Sequence, residues 1–254
     1  MKTLALVLSA AAVVAAADSP FVGTWKLNPA KSHFTGTALT YEQLPSGEMQ
    51  ATAEGQSYKF KTDGKEYPAV FGSTAMWKQV DANTWEATHK MKDLVLSNDT
   101  SKLSADGKTL TVNSTGKTPN GTSFDNSSVY QRVSGGPGLA GKWKTTKVNI
   151  SSPETMEIGS SAGDGLAWKI LEFNASVNLK FDGKDYPAVG PTVPPTLTLA
   201  ASTTGPRSFD LVEKVNGKVV FRGTYTVSTD GKTLTAAFSP EGTNDKVTAV
   251  YDRR

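Results

Sequence analysis

Few side chains in this sequence could carry out acid–base or nucleophilic chemistry, because it has no cysteine and only two histidines, His33 and His89. A Ser-His-Asp or Cys-His centre would need one of these histidines as its base. They are too far apart in sequence, and lack the helical spacing, to form a zinc site. No phosphate loop, glycine-rich dinucleotide fingerprint or G-x-S-x-G motif occurs. The sequence therefore predicts no catalytic residue, no metal and no cofactor, and favours a protein that is not an enzyme.

Paired carboxylates are a second source of chemistry, since a buried acid beside another can cleave glycosidic bonds. Most aspartates and glutamates here lie in turn-like segments or on polar strand faces. Glu172 and Glu213 differ, because each is expected within an apolar strand of the second half of the chain. Burial would raise the pKa of either carboxyl.

His89 lies in a stretch with a period of two, the pattern of a strand with one buried face. Trp85, Ala87, His89 and Met91 share the apolar face. Two interpretations of His89 stay open. It is either a neutral histidine bonded to a neighbour inside a barrel, or a polar handle or haem ligand in a pocket.

The elements that position these residues are strands. Short runs rich in Val, Thr, Tyr, Phe and Trp alternate with Asp-Gly, Asn-Gly and Ser-Gly pairs, which is typical of an all-β sandwich or barrel. Four Asp-Gly-Lys sites begin at Asp63, Asp106, Asp182 and Asp230. Because Asp-Gly suits a tight turn, each is predicted to be a hairpin tip.

The two halves of the chain are repeats. Four landmarks recur in the same order about 120 residues later, a period that indicates domain duplication rather than a solenoid. The matched segments are 23–26 with 141–144, 63–70 with 182–189, 104–111 with 228–235, and 129–132 with 250–253. Between the halves lies the linker-like stretch 134–138, Ser-Gly-Gly-Pro-Gly. We expect repeat 1 to span 21–133 and repeat 2 to span 139–254, each an antiparallel up-and-down barrel of eight to ten strands.

The N-terminus predicts export. Residues 1–17 have one lysine, an apolar run and a closing Ala-Ala-Ala, the layout of a signal peptide that is cleaved near Ala17. A secreted or periplasmic location is expected. The formal net charge of +3 is spread along the chain, so neither a nucleic-acid partner nor a membrane surface is predicted, and no apolar run is long enough for a membrane span.

The Gly-x-Trp of each first strand and the Arg of each last strand resemble the lipocalin, or calycin, pattern. In that family the Trp closes one end of the barrel and the Arg packs across it. The resemblance implies that Trp25 pairs with Arg132 and that Trp143 pairs with Arg253. The whole chain is also similar to uncharacterised bacterial secreted proteins that carry G-T-W-K-L-N and D-G-K-x-Y-P.

Large apolar side chains of both repeats could line a cavity or fill the barrels, and both interpretations stay open. The predicted ligand-binding residues are Tyr58, Phe60, Trp77, Trp85, His89 and Met91 in repeat 1, with Trp168, Phe209, Phe221 and Tyr225 in repeat 2. The resemblance implies a carrier of a small hydrophobic molecule. Two alternatives are a structural or interaction protein of the bacterial envelope with filled barrels, and a calycin-type isomerase or cyclase.

Overall fold

The computed structural model describes residues 19–162 and 164–254, which form two ten-stranded antiparallel sheets. Each sheet curls into a nearly closed barrel, so the predicted all-β class and the count of eight to ten strands are confirmed. In these two ranges the only helical segment is the 3₁₀ turn Val70–Gly72, and no helix is long and apolar enough to cross a membrane. The predicted signal peptide, 1–17, lies outside the described residues.

Sheet I contains most of repeat 1. Its spatial order is β4-β3-β2-β11-β10-β9-β8-β7-β6-β5. The strands are β2 (Ala38–Gln43), β3 (Met49–Ala53), β4 (Gln56–Phe60), β5 (Asp63–Pro68), β6 (Thr74–Asp81), β7 (Thr84–Met91), β8 (Leu94–Leu103), β9 (Thr109–Lys117), β10 (Ser123–Ser134) and β11 (Gly141–Asn149).

Sheet II contains most of repeat 2, in the order β14-β13-β12-β1-β20-β19-β18-β17-β16-β15. Its two end strands meet, because Ser176 and Val189 exchange backbone hydrogen bonds of 2.8 Å. The strands are β1 (Gly23–Leu27), β12 (Thr155–Ser161), β13 (Gly165–Ile170), β14 (Ala175–Leu179), β15 (Tyr186–Pro187), β16 (Thr198–Gly205), β17 (Ser208–Val215), β18 (Lys218–Val227), β19 (Thr233–Pro240) and β20 (Val247–Arg253).

The first strands of the two repeats are exchanged. β1, from repeat 1, lies between β12 and β20 of sheet II, while β11, from repeat 2, lies between β2 and β10 of sheet I. Each first strand occupies the same relative place, between the second and the last strand of a repeat. The exchange therefore preserves the barrel pattern while each sheet takes one strand from the other repeat.

Strand exchange corrects the predicted Trp–Arg pairs. Trp25 stands opposite Arg253 and Trp143 stands opposite Arg132, and each guanidinium carbon lies 4.0 to 4.1 Å from the centroid of its indole. The implied stacking of Arg on Trp is present, but with the partners reversed. The reason is chain connectivity: residues 135–140 return the chain directly onto β10, and closing a loop this short costs little entropy. β11 thus fills the place beside Arg132, and β1 fills the matching place beside β20.

The stretch 134–138 consequently connects two neighbouring strands of sheet I, rather than two separate barrels as expected for a linker. Ser134 is the last residue of β10, and Gly138 supplies a carbonyl that accepts a hydrogen bond from Arg132. The boundary between the repeats at 134–138 stays a prediction, but each sheet pairs strands from both sides of this boundary.

Each arginine donates hydrogen bonds to several backbone carbonyls while it stacks on its tryptophan. Arg253 donates to the carbonyls of Gly231, Val22 and Pro20, and Arg132 donates to those of Gly107, Gly136, Gly138 and Ala140. The indole N–H groups of Trp25 and Trp143 each donate to the carbonyl four residues earlier.

The glycine of each Gly-x-Trp makes room for the arginine. A Cβ at Gly23 would lie 2.4 Å from Arg253 Nη1, and one at Gly141 would lie 2.7 Å from Arg132 Nη1. Both glycines also have φ near +150°, which side chains rarely adopt. The motif is therefore a packing requirement of the clamp formed by glycine, tryptophan and arginine.

The Asp-Gly-Lys prediction is half right. The sites at Asp106 and Asp230 are turns between the paired strands β8 and β9, and β18 and β19. Asp63 instead begins β5 at an irregular register, and Asp182 forms an isolated bridge with Ser202. Two-residue turns with positive φ at both positions occur at Glu54-Gly55 and Asn216-Gly217.

We expect Arg253→Ala to lower the free energy of unfolding by about 3 kcal/mol, because it removes both a stacked cation and charged hydrogen bonds to three carbonyls. Arg253→Lys keeps the charge but loses the planar fork, so most of the loss should remain. The measurement is urea unfolding followed by tryptophan fluorescence. Arg254→Ala, at the exposed neighbour, is the control and should change stability little. Equal stabilities of the Arg253 and Arg254 variants would contradict the role of the clamp.

Candidate functional site

Each sheet lines a partly open cavity. The cavity of sheet I has a volume of about 310 Å³ and that of sheet II about 280 Å³. These volumes lie near the lower end of the range for small-molecule sites. The two cavities are built on equivalent strands but have different linings.

Strands β7 and β17 correspond position by position. Their eight residues have the same alternation of buried and exposed positions, which places His89 of β7 at the position that Glu213 occupies in β17. Both side chains line their cavities. The histidine that has no histidine counterpart in repeat 2 therefore has an acidic one.

The partner strands β8 and β18 differ at the matching positions. Ala87 of β7 lies opposite Asp99, whereas Leu211 of β17 lies opposite Gly223. In the next inward-facing pair, Ser101 of sheet I takes the place of Tyr225 in sheet II. The duplicated scaffold has thus diverged at the residues that face the two interiors.

The cavity of sheet II is mainly apolar. Trp168 of β13 and Tyr225 of β18 meet edge to face with ring centroids 5.0 Å apart, and Phe209 stacks on Tyr225 at the same centroid distance. The remaining wall is mostly aliphatic and includes residues of the loop between β15 and β16. Its aliphatic members are Ile170, Ala175, Val177, Ala188, Val193, Pro194, Leu197, Leu199 and Leu211, and Phe173, Ser176 and Thr192 also line it.

Glu213 is the one carboxyl group that the described residues contribute to this wall. Desolvation by burial raises its pKa to about 7, and no hydrogen bond or positive charge in the described part of the chain offsets the shift. At slightly acid pH the carboxyl group is therefore mainly neutral and can donate a hydrogen bond. Just above neutral pH it is mainly charged.

Trp168 provides a second polar group. Its indole N–H is buried and has no hydrogen-bond partner within residues 19–162 and 164–254. Leaving a buried donor unpaired costs about 1 to 3 kcal/mol. Burial, helped by the charges of Glu213 and Glu154, raises the pKa of Tyr225, so its hydroxyl stays protonated. The cavity thus combines an apolar wall with an unpaired donor, a carboxyl group and a phenol.

The cavity of sheet I is more polar. His89 Nε2 lies 3.4 Å from Asp99 Oδ2, and Trp77 donates its indole N–H to the hydroxyl of Tyr58 over 3.1 Å. Burial lowers the pKa of His89, and the charge of Asp99 opposes this shift in part. Tyr41, Phe71 and Tyr130 also contribute aromatic rings to the wall.

The structure separates the predicted ligand-binding residues into two groups. Tyr58, Trp77 and His89 line the cavity of sheet I, and Trp168 and Tyr225 line that of sheet II. The others are not in contact with either cavity. These are Phe60, Trp85, Met91 and Phe209, which are buried in the cores, and Phe221, which packs against Phe238.

Glu172 does not lie in an apolar strand as expected, but in the turn between β13 and β14. Its carboxylate accepts hydrogen bonds from the backbone N–H and hydroxyl of Thr155, and it pairs with Lys26 at 3.3 Å. Burial opposes ionisation, but these hydrogen bonds prevail and hold the pKa of Glu172 below its usual value. Glu172 therefore fastens the exchanged strand β1, which carries Lys26, to sheet II.

Sequence reasoning missed Asp99, Tyr41 and Tyr130, which all line the cavity of sheet I. The signal for Asp99 was available. Counting by two along β8 places it on the same face as Ser101 and Leu103, both of which are buried. Matching β7 with β17 would also have linked His89 with Glu213.

Comparisons with known proteins bring no assignment: no protein-family model matches the chain, and no curated protein matches it significantly. Within 19–162 and 164–254, no three His, Cys, Asp or Glu residues come together in a way that could hold a metal ion.

The pKa of Glu213 predicts a pH-dependent contribution to stability. In the unfolded chain this glutamate should titrate near 4.5 and in the folded protein near 7, so the fold binds the proton more tightly. Wild-type protein should lose about 3 kcal/mol of this contribution as the pH rises from about 4.5 to about 7, at about 1.4 kcal/mol per pKa unit. Glu213→Gln should escape the loss and be more stable than wild type at pH 8.

Urea unfolding at pH 4.5, 6 and 8 measures this difference. The control is Glu86→Gln, which changes an exposed glutamate on β7. A stability difference between Glu213→Gln and wild type that stays constant over this pH range would show that Glu213 titrates normally.

Proposed function

We propose that this protein is an exported carrier that binds a small, mostly apolar molecule inside the barrel of sheet II. The observation that carries the proposal is the 280 Å³ cavity with an aliphatic and aromatic wall and an unpaired indole N–H. Apolar pockets with a few placed polar groups are the usual form of small-molecule sites. A volume of this size favours a carrier over the alternative of filled barrels.

The polar groups define the chemistry of the ligand. Trp168 offers a donor without an acceptor, and Glu213, when neutral, offers another in the same wall. A ligand that carries a hydroxyl or carbonyl oxygen would satisfy the indole N–H and would leave its hydrocarbon part against Leu199 and Leu211. A neutral, oxygen-bearing hydrophobic compound is therefore the proposed class.

Ala188 offers a way to block the cavity with a matched control. It lines the wall of sheet II, and the repeat places Ala69 at the equivalent position of sheet I, where it is also half-buried but does not line the cavity. Ala188→Phe would fill part of the proposed site, whereas Ala69→Phe adds the same ring elsewhere.

We expect 2-naphthol, a neutral aromatic alcohol, to bind saturably with one molecule per chain in isothermal titration calorimetry at pH 6. Ala188→Phe should weaken binding at least tenfold, because the added ring occupies the volume that the ligand needs. Ala69→Phe should leave the affinity unchanged. Naphthalene should bind more weakly than 2-naphthol, since it leaves the indole N–H of Trp168 unpaired.

Absence of saturable binding by wild-type protein, or equal affinities of the Ala188 and Ala69 variants, would rule out the cavity of sheet II as the binding site. Native mass spectrometry of the protein purified from its own cells is an independent measurement, in which a retained mass that is lost in Ala188→Phe would identify the natural ligand.

A further inference from the structure

The cavity of sheet I has a lining that an apolar carrier site does not need. From it we infer that sheet I holds a second binding site, for a small organic ammonium ion, between Asp99 and the surrounding aromatic rings. This inference concerns a separate cavity and does not depend on the function proposed for sheet II.

Asp99 is the first observation. Only 17% of its side chain is exposed, and its Oδ1 is buried without a hydrogen-bond partner in the described part of the chain. Its other oxygen faces His89 at 3.4 Å. Because burial lowers the pKa of His89, the imidazole is mainly neutral at pH 7 and does not cancel the negative charge. A buried carboxylate oxygen without a partner is costly, and a bound cation would compensate it.

The charge of the whole wall is the second observation. Among the residues that the structure describes, no lysine or arginine lines this cavity, and the ionisable groups in its wall are Asp99, Glu54, His89 and three tyrosines. Burial, with the charge of Asp245, raises the pKa of Glu54, and burial is the main cause of the raised pKa values of the tyrosines. The wall therefore combines acidic groups with no lysine or arginine from the described residues, so it disfavours anions.

The aromatic rings are the third observation. Tyr41 and Trp77 meet at 77° with centroids 5.9 Å apart, and the ring of His89 stands nearly perpendicular to those of Tyr58 and Trp77. The charge of Asp99 reaches Tyr41, Tyr58 and Tyr130, since it contributes to the raised pKa of each. Rings around a carboxylate attract an ammonium ion through their π faces as well as through the charge.

The repeat provides an internal comparison. At the positions of His89, Asp99 and Ser101, sheet II has Glu213, Gly223 and Tyr225. An unpaired carboxylate beside a neutral imidazole is thus specific to sheet I and is not required by the barrel. The two cavities are expected to select ligands of different charge.

Benzylammonium and benzyl alcohol form a suitable pair of probes, because they have nearly the same shape and differ in charge at pH 7.5. Because benzyl alcohol also belongs to the class of ligand proposed for sheet II, the two affinities are compared in NMR titrations that follow the indole N–H of Trp77 in sheet I. There we expect wild-type protein to bind benzylammonium at least tenfold more tightly than benzyl alcohol. Asp99→Asn keeps the shape of the side chain and removes its charge, so it should abolish this preference. This comparison in wild-type protein does not depend on the folding of any variant.

Glu213→Gln is the matched control, since Glu213 is the acidic group of the other cavity and is partly charged at this pH. It should leave the preference for benzylammonium intact. In ¹⁵N-labelled protein, the indole N–H resonance of Trp77 should shift on titration with benzylammonium, while that of Trp168 should not.

Equal affinities for the two probes at the Trp77 resonance of wild-type protein would overturn the inference. So would a preference that survives Asp99→Asn and disappears in Glu213→Gln, which would place the cation in sheet II. Near-ultraviolet circular dichroism of each variant establishes that it is folded.

Discussion

The stacking of an arginine on a buried tryptophan, over a glycine that leaves room for it, is the constraint on which both barrels depend. In each sheet this clamp joins the first strand of one repeat to the last strand of the other. Its arginine also donates hydrogen bonds to a carbonyl of a nearby turn and to a carbonyl of the residues just before the first strand. Because the two repeats carry the same clamp, either first strand fits either barrel. Connectivity then decides between the two arrangements: the short return from β10 to β11 places Trp143 on Arg132, and Trp25 completes the other barrel.

Strand exchange makes the two barrels one folding unit. Sheet II requires β1 from the start of the chain, and sheet I requires β11 from the second repeat, so neither sheet is complete without residues from both repeats. Lys26 on β1 extends this dependence, because it fastens the strand to Glu172 and Thr155. With the framework held by backbone pairing and by the clamps, the inward-facing residues are free to differ. Glu213 and Tyr225 in one interior and His89 and Asp99 in the other are the result, and they give two cavities of similar volume and different chemistry.

Much of the architecture could be predicted from local patterns. The period of two identified the inward face of β7, and the repeated Gly-x-Trp and closing Arg identified the strands that meet. Which copy of a strand meets which could not be predicted, since Trp25 and Trp143 have nearly the same neighbours in sequence and differ only in chain connectivity. The cavity residues were predicted in part. In the sequence, the core residues Trp85 and Phe209 look like the cavity residues Trp77 and Trp168, since all four are large aromatic residues in strands. Only the packing of the sheets shows which of them fill the core and which line a cavity.

Strand exchange is tested most directly by pairs of engineered cysteines, since the natural chain has none. Gln131 lies opposite Lys144 across β10 and β11, at the Cα separation that a disulfide can bridge. Oxidised monomer that carries Gln131→Cys and Lys144→Cys should form an intramolecular disulfide, detected by mass spectrometry of its peptides. The pair Lys144→Cys and Asp252→Cys should not, because Asp252 lies opposite Lys26 instead. A disulfide in the second pair and none in the first would mean that each repeat closes its own barrel, and would contradict the exchange.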